Sequence, residues 1–226
     1  MKIKVCKDGP YIVTGDVPLY RKTIVPKDGL LDFGDPERVP TPEKSYALCR
    51  CGKSKSKPFC DGAHAAAGTS SAAGFDGTET ADRAPFRERA SWQFGQGVDL
   101  MDDDRCAFVR FCHRQHGSVW ELTDASGDPQ NAREAMEGAS ACPAGRLVAV
   151  TKQGEAIEPE LPAEITVIED PQRSCSGGFY VSGGIPLEGA DGDPYETVNR
   201  YVLCRCGFSF IKPFCDAQHV VRRFRD

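Results

Sequence analysis

CRCGKSKSKPFCDGAH, residues 49–64, returns near the other end of the chain as CRCGFSFIKPFCDAQH, residues 204–219. Both stretches have the spacing Cys-x-Cys-x8-Cys-x3-His without an insertion. The first outer site is defined as Cys49, Cys51, Cys60 and His64, and the second outer site as Cys204, Cys206, Cys215 and His219. Three thiolates and one imidazole can hold tetrahedral Zn(II) or one [2Fe–2S] cluster, because both accept that donor set.

The similarity extends beyond the two motifs. GPYIVTGDVPL at residues 9–19 corresponds to GGFYVSGGIPL at residues 177–187, so the chain contains an internal duplication. Both copies contain short apolar runs bounded by Gly, Pro and Asp, which predict β-strands. The predicted strands are Ile3–Val5, Tyr11–Thr14 and Tyr46–Leu48 in the first copy, and Ile165–Ile168, Phe179–Val181 and Tyr201–Leu203 in the second.

Three more cysteines lie between the copies, and we call Cys106, Cys112 and Cys142 the middle site. The surrounding pattern predicts a helical stretch through Cys106–Cys112 and a strand at Val119–Thr123. It then predicts a helix at Pro129–Ala139 with Asp128 as N-cap, followed by a strand at Arg146–Thr151.

The chain therefore divides into three predicted modules, 1–80, 81–157 and 158–226, in an α+β fold with β-rich outer modules. Segments of roughly 70 residues bury little core and commonly depend on a metal or a partner for stability.

At the outer sites the chain resembles the CDGSH iron–sulfur (NEET) family, whose pattern is C-x-C-x2-S-x3-P-x-C-D-G-x-H. Ser54 and Ser209 fall on the serine of that pattern, and the second copy departs from it at Ala217. The resemblance implies a [2Fe–2S] cluster at each outer site, held by three Cys and one His. It also implies that the two outer modules pair within one chain as a pseudo-dimer, so we expect a monomer.

The middle segment resembles a single-cluster bacterial ferredoxin, because Cys142 is followed directly by Pro143 and Cys106 precedes Cys112 by six residues. Val109 occupies the place of that pattern's middle cysteine. Three thiolates suit a [3Fe–4S] cluster. A [4Fe–4S] cluster would need a fourth ligand, which His113, His116 or a solvent species could supply. The alternative is that the three cysteines are buried structural thiols.

Composition limits the other classes of function. The formal charge of −5 argues against a general nucleic-acid binder. No run of 18 apolar residues occurs, and the first residues show no secretory signal, so we expect the cytoplasm and no membrane partner. In that reducing compartment the eleven cysteines are expected to hold metal rather than to form disulfides.

We therefore expect an electron-transfer protein with two [2Fe–2S] clusters and one [3Fe–4S] or [4Fe–4S] cluster, and with a redox protein as its partner. No phosphate loop, nucleophile triad or paired catalytic carboxylates indicate an enzyme. The alternative is a cluster carrier or sensor that passes [2Fe–2S] to an apo-acceptor protein. A third possibility is a redox subunit of a larger enzyme.

Overall fold

The computed structural model describes residues 1–66 and 75–226, so residues 67–74 of the first predicted module lie outside the described residues. The fold is mixed, with many short strands and few helices. The strands are Lys2–Val5 (β1), Tyr11–Thr14 (β2), Leu19–Lys27 (β3), Leu30–Phe33 (β4), Glu37–Val39 (β5), Ser45–Leu48 (β6), Ser91–Phe94 (β7), Asp99–Asp102 (β8), His113–Arg114 (β9), Gly117–Ser118 (β10), Leu147–Val150 (β11), Ala156–Ile157 (β12), Glu164–Asp170 (β13), Cys175–Ser182 (β14), Leu187–Glu188 (β15) and Arg200–Leu203 (β16). The helices are Ala63–Ala66 (α1), Phe86–Arg89 (α2), Val119–Asp124 (α3), Pro129–Ser140 (α4) and Gln218–Val221 (α5), with a 3₁₀ turn at Pro171–Arg173.

Two sheets each combine strands from both copies of the duplication. One has the order β15-β1-β2-β6, and the other runs β16-β14-β13-β3-β4, with β5 also paired to β3. The exchange is reciprocal: Ile3 of β1 lies opposite Leu187 of β15, and Ile165 of β13 lies opposite Leu19 of β3, both in parallel. Each copy thus supplies the strand after its Pro-Leu dipeptide to the sheet of the other copy.

The main hydrophobic core is shared by the two copies. Alternate side chains of β2, Tyr11 and Val13, are completely buried, as period-two patterning of a half-buried strand requires. They join Leu19, Phe179 and Leu203 in one cluster that contains strands of both copies. All six strands expected in the outer copies are present, and each observed strand covers the predicted range.

The middle segment has its own sheet, in the order β12-β11-β8-β7, covered by α3 and α4. The predicted helix with Asp128 as N-cap is confirmed, because the Asp128 carboxylate accepts from the amides of Gln130 and Asn131. The predicted strand at Val119–Thr123 is wrong, since that segment forms α3. Ser118 and Glu121 form a capping box that starts this helix, and a segment as short as VWELT does not distinguish helix from strand by its apolar residues.

The predicted helix through Cys106–Cys112 is also wrong. The segment is irregular, and Phe108 and Arg110 have φ of 57° and 69°, which a right-handed helix excludes. Burial alternates along the segment, with Ala107, Val109 and Phe111 inside. No helix within the described ranges is both long and apolar enough to cross a membrane.

Candidate metal centres

The loop of the first outer site is closed by three hydrogen bonds, one between backbone groups and two that involve side chains. Cys49 directly follows β6, and its amide donates to the Pro58 carbonyl at 2.8 Å. The Ser54 hydroxyl donates to the Phe59 carbonyl at 2.6 Å, and the Asp61 carboxylate accepts from the amide of Lys55 at 2.8 Å. These contacts turn the chain back on itself so that residue 60 returns to the strand end that carries residue 49.

The second outer site is built by the same contacts. The Cys204 amide donates to the Pro213 carbonyl at 2.7 Å. The Ser209 hydroxyl donates to the Phe214 carbonyl at 2.7 Å, and the Asp216 carboxylate accepts from the Phe210 amide at 2.7 Å. The repeated sequence therefore folds into a repeated loop. Each motif aspartate also accepts from the amide two residues later, next to the short helix that carries the histidine.

Each outer site arranges its four ligand atoms as two close pairs. The Sγ atoms of Cys49 and Cys51 lie 3.9 Å apart, and those of Cys204 and Cys206 lie 3.7 Å apart. The remaining cysteine and histidine also meet: Sγ lies 3.4 Å from His64 Nδ1 in the first site and 3.5 Å from His219 Nδ1 in the second. Tetrahedral ligands at metal bond lengths of about 2.0–2.3 Å are about 3.3–3.8 Å apart, so the separation within each pair is close to that of two ligands of one metal ion.

The pairs favour two metal ions per site over one. Across residues 1–66 and 75–226, no three Cys, His, Asp or Glu side chains gather closely enough to hold a single metal ion. A mononuclear zinc site needs all four ligands around one point. The two close pairs would instead give each of two metals two ligands, so the donor set fits a binuclear cluster.

The paired thiols favour a thiolate at each site. A hydrogen bond from the Cys51 thiol lowers the pKa of Cys49, and the same bond raises the pKa of Cys51. Cys204 and Cys206 repeat this arrangement, with the pKa of Cys204 lowered. A thiolate is the form of cysteine that binds iron, so each pair contains one cysteine whose binding form is favoured.

The two sites differ in solvent exposure. Cys215 and His219 are 3% and 4% exposed, whereas Cys60 and His64 are half-buried. Burial lowers the pKa of His219 to about 4, with a smaller effect in the same direction from Arg205. The histidine of the second site is therefore kept neutral, which is the form that binds a metal.

The two outer loops touch each other through a pair of glycines. Gly52 and Gly207, each following the second cysteine of its motif, have φ of 74° and 85°. A Cβ on Gly52 would lie 2.6 Å from the Cys206 carbonyl oxygen, and one on Gly207 would lie 2.8 Å from that of Cys51. Only glycine permits both this conformation and this approach. The two outer sites are consequently neighbours.

The three cysteines of the middle site line one cavity, together with the backbone of residues 107–111 and the side chain of Trp120. The left-handed φ values of Phe108 and Arg110 alternate with ordinary ones, a pattern that turns successive amides toward one concave side and suits an anion such as an iron–sulfur cluster. The Phe108 amide donates to Cys106 Sγ at 3.4 Å. Val109 lies in this lining beside the three cysteines, and its hydrocarbon side chain cannot bind a metal.

Neither candidate for a fourth ligand lies in the cavity. His113 and His116 are exposed, and neither belongs to the lining residues. The His116 ring contacts the Glu134 carboxylate instead. The geometry therefore offers three protein ligands at the middle site.

The middle site packs directly against the second outer site. Ala107, Val109 and Phe111 share a hydrophobic cluster with Val202 and Cys215, the third cysteine of the second outer site. No comparable cluster joins the middle cysteines to the first outer site among the described residues. The three sites are therefore arranged in the order middle, second outer, first outer.

Arg200 holds the middle site and the second outer site together. It is 2% exposed and lies on β16, four residues before Cys204. Its guanidinium donates to the carbonyls of Cys142 at 2.7 Å, Ala139 at 3.0 Å and Leu147 at 3.2 Å. Neither Arg200 nor the glycine pair was predicted from the sequence. The glycines had a signal, since Gly follows the second cysteine in both motifs, but Arg200 has no counterpart in the repeat.

Comparison with protein-family models agrees with this arrangement. The model described as iron-binding zinc finger, CDGSH type, matches residues 8–65 and again residues 176–220. The chain contains two CDGSH-type iron-binding segments. A second model, described as divergent 4Fe-4S mono-cluster, matches residues 95–152 between the two CDGSH segments. No curated protein and no solved structure matches the chain.

The family assignment makes this an iron–sulfur protein of the CDGSH type with a mono-cluster segment in its middle. Each CDGSH segment contains one complete outer site, and the mono-cluster segment contains all three cysteines of the middle site. The chain's nine motif cysteines are thereby divided among three segments, and the described cysteines form no disulfide.

Proposed function

We propose that this CDGSH protein transfers electrons with a [2Fe–2S] cluster at each outer site and a [3Fe–4S] or [4Fe–4S] cluster at the middle site. The observation that carries the proposal is the pairing of ligand atoms, with two thiols 3.7–3.9 Å apart and a thiol 3.4–3.5 Å from an imidazole nitrogen. Such clusters supply reversible one-electron chemistry when bound.

The two CDGSH segments would act as an intramolecular pseudo-dimer. The reciprocal pairing of β1 with β15 and of β13 with β3 supports this, as does the shared core. Gly52 and Gly207 then keep the two outer loops close enough for electrons to pass between them. Arg200 and the apolar side chains of the middle loop do the same between the middle site and the second outer site.

An electron would thus enter or leave at the two ends of a three-site series, the middle site and the first outer site. The half-buried Cys60 and His64 place the first outer site within reach of a redox partner protein. The chain's own residues orient the ligands and exclude water. We propose an electron carrier rather than an enzyme.

The test is metal analysis and spectroscopy on anaerobically purified protein. Two [2Fe–2S] clusters and one [3Fe–4S] cluster require about seven iron atoms per chain, and a [4Fe–4S] cluster requires about eight. Visible absorption that bleaches on reduction and returns on oxidation, with iron retained, supports the proposal. Colourless protein that contains zinc would refute it.

A second candidate is a carrier that hands the cluster of the first outer site to an apo-acceptor protein. The half-burial of His64 favours it, because a proton can displace a solvent-accessible imidazole from its metal. Transfer to an apo-ferredoxin without added reductant would support this candidate, whereas iron retention through repeated redox cycles would support electron transfer.

A further inference from the structure

Each outer site has an arginine between its first two cysteines, and both arginines are buried. Arg50 and Arg205 are 2% and 1% exposed. They occupy the same place in the repeated motif, and each donates to the backbone at matching positions: Arg50 to the Cys6 carbonyl and Arg205 to the Ile168 carbonyl. The charge beside the two sites is nevertheless compensated differently.

Arg205 is paired with carboxylates. It contacts Glu169 at 3.1 Å and also contacts Asp226, while its Nε donates to the Gly177 carbonyl at 2.9 Å. Arg21 also lies 4.0 Å from the Glu169 carboxylate, so the positive charge of Arg205 is fully compensated beside the second outer site.

Arg50 has only neutral partners among the described residues. Its guanidinium donates to the carbonyls of Cys6, Gly77 and Thr78 and lies 5.2 Å from the centre of the Phe75 ring. No ion pair to Arg50 occurs within residues 1–66 and 75–226, where its buried Nε–H also has no hydrogen-bond partner. Residues 67–74 contain no acidic side chain, so Arg50 contributes one positive charge beside the first outer site.

The motif loops also differ in charge, and the loop of the first outer site is again the more positive. The first loop presents exposed Lys53 and Lys55, where the second loop has Phe208 and Phe210. A nearby positive charge stabilises the reduced form of a site that gains one negative charge, and burial away from water destabilises it. Both effects favour reduction of the first outer site over the second.

We infer that Arg50 and the carboxylate partners of Arg205 give the first outer site a higher reduction potential than the second. The inference rests on the proposed function, since it requires a cluster at each outer site. One electron from a one-electron donor, here dithionite, converts one iron of a pair from Fe(III) to Fe(II) without breaking a bond. Arg50 stabilises that electron at the first outer site, which makes this site the end of the series from which a partner is reduced.

The experiment is a spectroelectrochemical titration of the full-length protein with both outer sites loaded. His64→Cys and His219→Cys each alter the absorption of one site and so assign the two midpoints. We expect the wild-type midpoints to differ by at least tenfold in the one-electron equilibrium, about 59 mV, with the first site higher. Equal midpoints, or a higher second site, would overturn the inference.

Two sets of variants locate the cause. Arg50→Met should lower only the first midpoint. Glu169→Gln combined with Asp226→Asn should raise only the second midpoint by a tenfold change or more, and it removes no buried cation, so it tests the idea even if Arg50→Met fails to fold. Glu164→Gln is the matched control, since Glu164 lies on the same strand, β13, and pairs with Lys22 at 2.8 Å. It should leave both midpoints unchanged.

The proposed function and the role of the arginines are refuted by different results. Loss of iron or sulfide from the wild-type outer sites would refute the proposed function. Full iron content, with midpoints that do not change on Glu169→Gln and Asp226→Asn, would leave electron transfer intact and refute the role of the arginines.

Discussion

Replacing Arg200 by methionine should release the middle segment from the second CDGSH segment. Arg200 donates to the carbonyls of Cys142, Ala139 and Leu147, which lie in α4, β11 and the loop between them. Methionine keeps much of the apolar stem but donates no hydrogen bond. The three carbonyls then lose these bonds, although those of Ala139 and Cys142 still accept from the amides of Cys142 and Gly145. The segment that carries Cys142 loses the hydrogen bonds that join it to Arg200 of β16.

The size of the effect follows from those contacts. A hydrogen bond from a charged donor contributes about 1.5–3 kcal/mol, and some of this is recovered where water replaces the donor. Arg200 also forms an ion pair with Glu158. This ion pair adds little to the unfolding free energy, because the Glu158 side chain is 34% exposed. We therefore expect Arg200→Met to lower the unfolding free energy of the middle segment by about 3–5 kcal/mol.

The chain itself provides a selective assay. Its two tryptophans, Trp92 and Trp120, both lie in the middle segment, so their fluorescence follows the unfolding of this segment alone. With a urea m-value of about 1 kcal/mol/M for a segment of this size, the midpoint should fall by about 3–5 M. Iron bound at the middle site should be lost in parallel while the CDGSH segments keep theirs.

Arg133→Met is the control, because Arg133 is exposed on α4 of the same segment. It should leave the fluorescence midpoint within experimental error of wild type. A shift below about 0.5 M for Arg200→Met would mean that these hydrogen bonds contribute little and that apolar packing alone holds the two segments together.

Three further outcomes are expected. Acid should release iron from the first outer site before the second. Burial lowers the pKa of His219 to about 4, so this ligand stays neutral until the pH falls through that value, whereas His64 is only half-buried. Stopped-flow absorbance after a pH jump should show two phases, and a single phase would contradict this. Val109→Cys should add a thiolate to the middle cavity. It should convert an EPR-active oxidised [3Fe–4S] site into an EPR-silent site with one more iron. Wild-type protein that is already EPR-silent with about eight irons would show that a non-cysteine ligand completes the site. Ala217→Gly should raise the unfolding free energy of the second loop by about 1 kcal/mol, because Ala217 has a left-handed φ of 67°. Gly62→Ala should lower that of the first loop by a similar amount, because Gly62 has φ of 85° and open space around it. Unfolding midpoints that move the other way would refute the backbone strain.

The outer copies were predictable because local chemistry determines them. The six expected strands lie in short apolar runs, and the contacts that close each motif loop, such as Ser54 to Phe59 and Ser209 to Phe214, are made within that loop. A repeated sequence with repeated internal contacts gives a repeated structure, and no information from distant residues is needed. The pairing of each copy's Pro-Leu strand with the other copy depends on the whole core and could be expected only through the family resemblance.

The middle segment was predicted less well for a physical reason. The run at 106–112 has apolar residues at alternate positions, and its backbone follows the cavity rather than a helix or a sheet. Phe108 and Arg110 have left-handed φ without being glycine, so their side chains gave no warning. Such backbone strain at non-glycine residues persists only where the surroundings impose it, and the cysteines around this cavity are where a ligand would do so.

The asymmetry between the two outer sites lies outside the motif that defines them. Arg50 and Arg205 are identical in sequence context, yet their partners come from segments that the duplication does not share: Gly77 and Thr78 for the first, and Asp226 for the second. The side-chain charge is also opposite at one matching position of the two copies. Lys7 follows Cys6, whose carbonyl accepts from Arg50, whereas Glu169 follows Ile168, whose carbonyl accepts from Arg205. Two sites with the same ligands can therefore differ in how strongly they hold an electron, and a duplicated chain can acquire a direction for electron flow by changing charges around its ligands while keeping the ligands themselves.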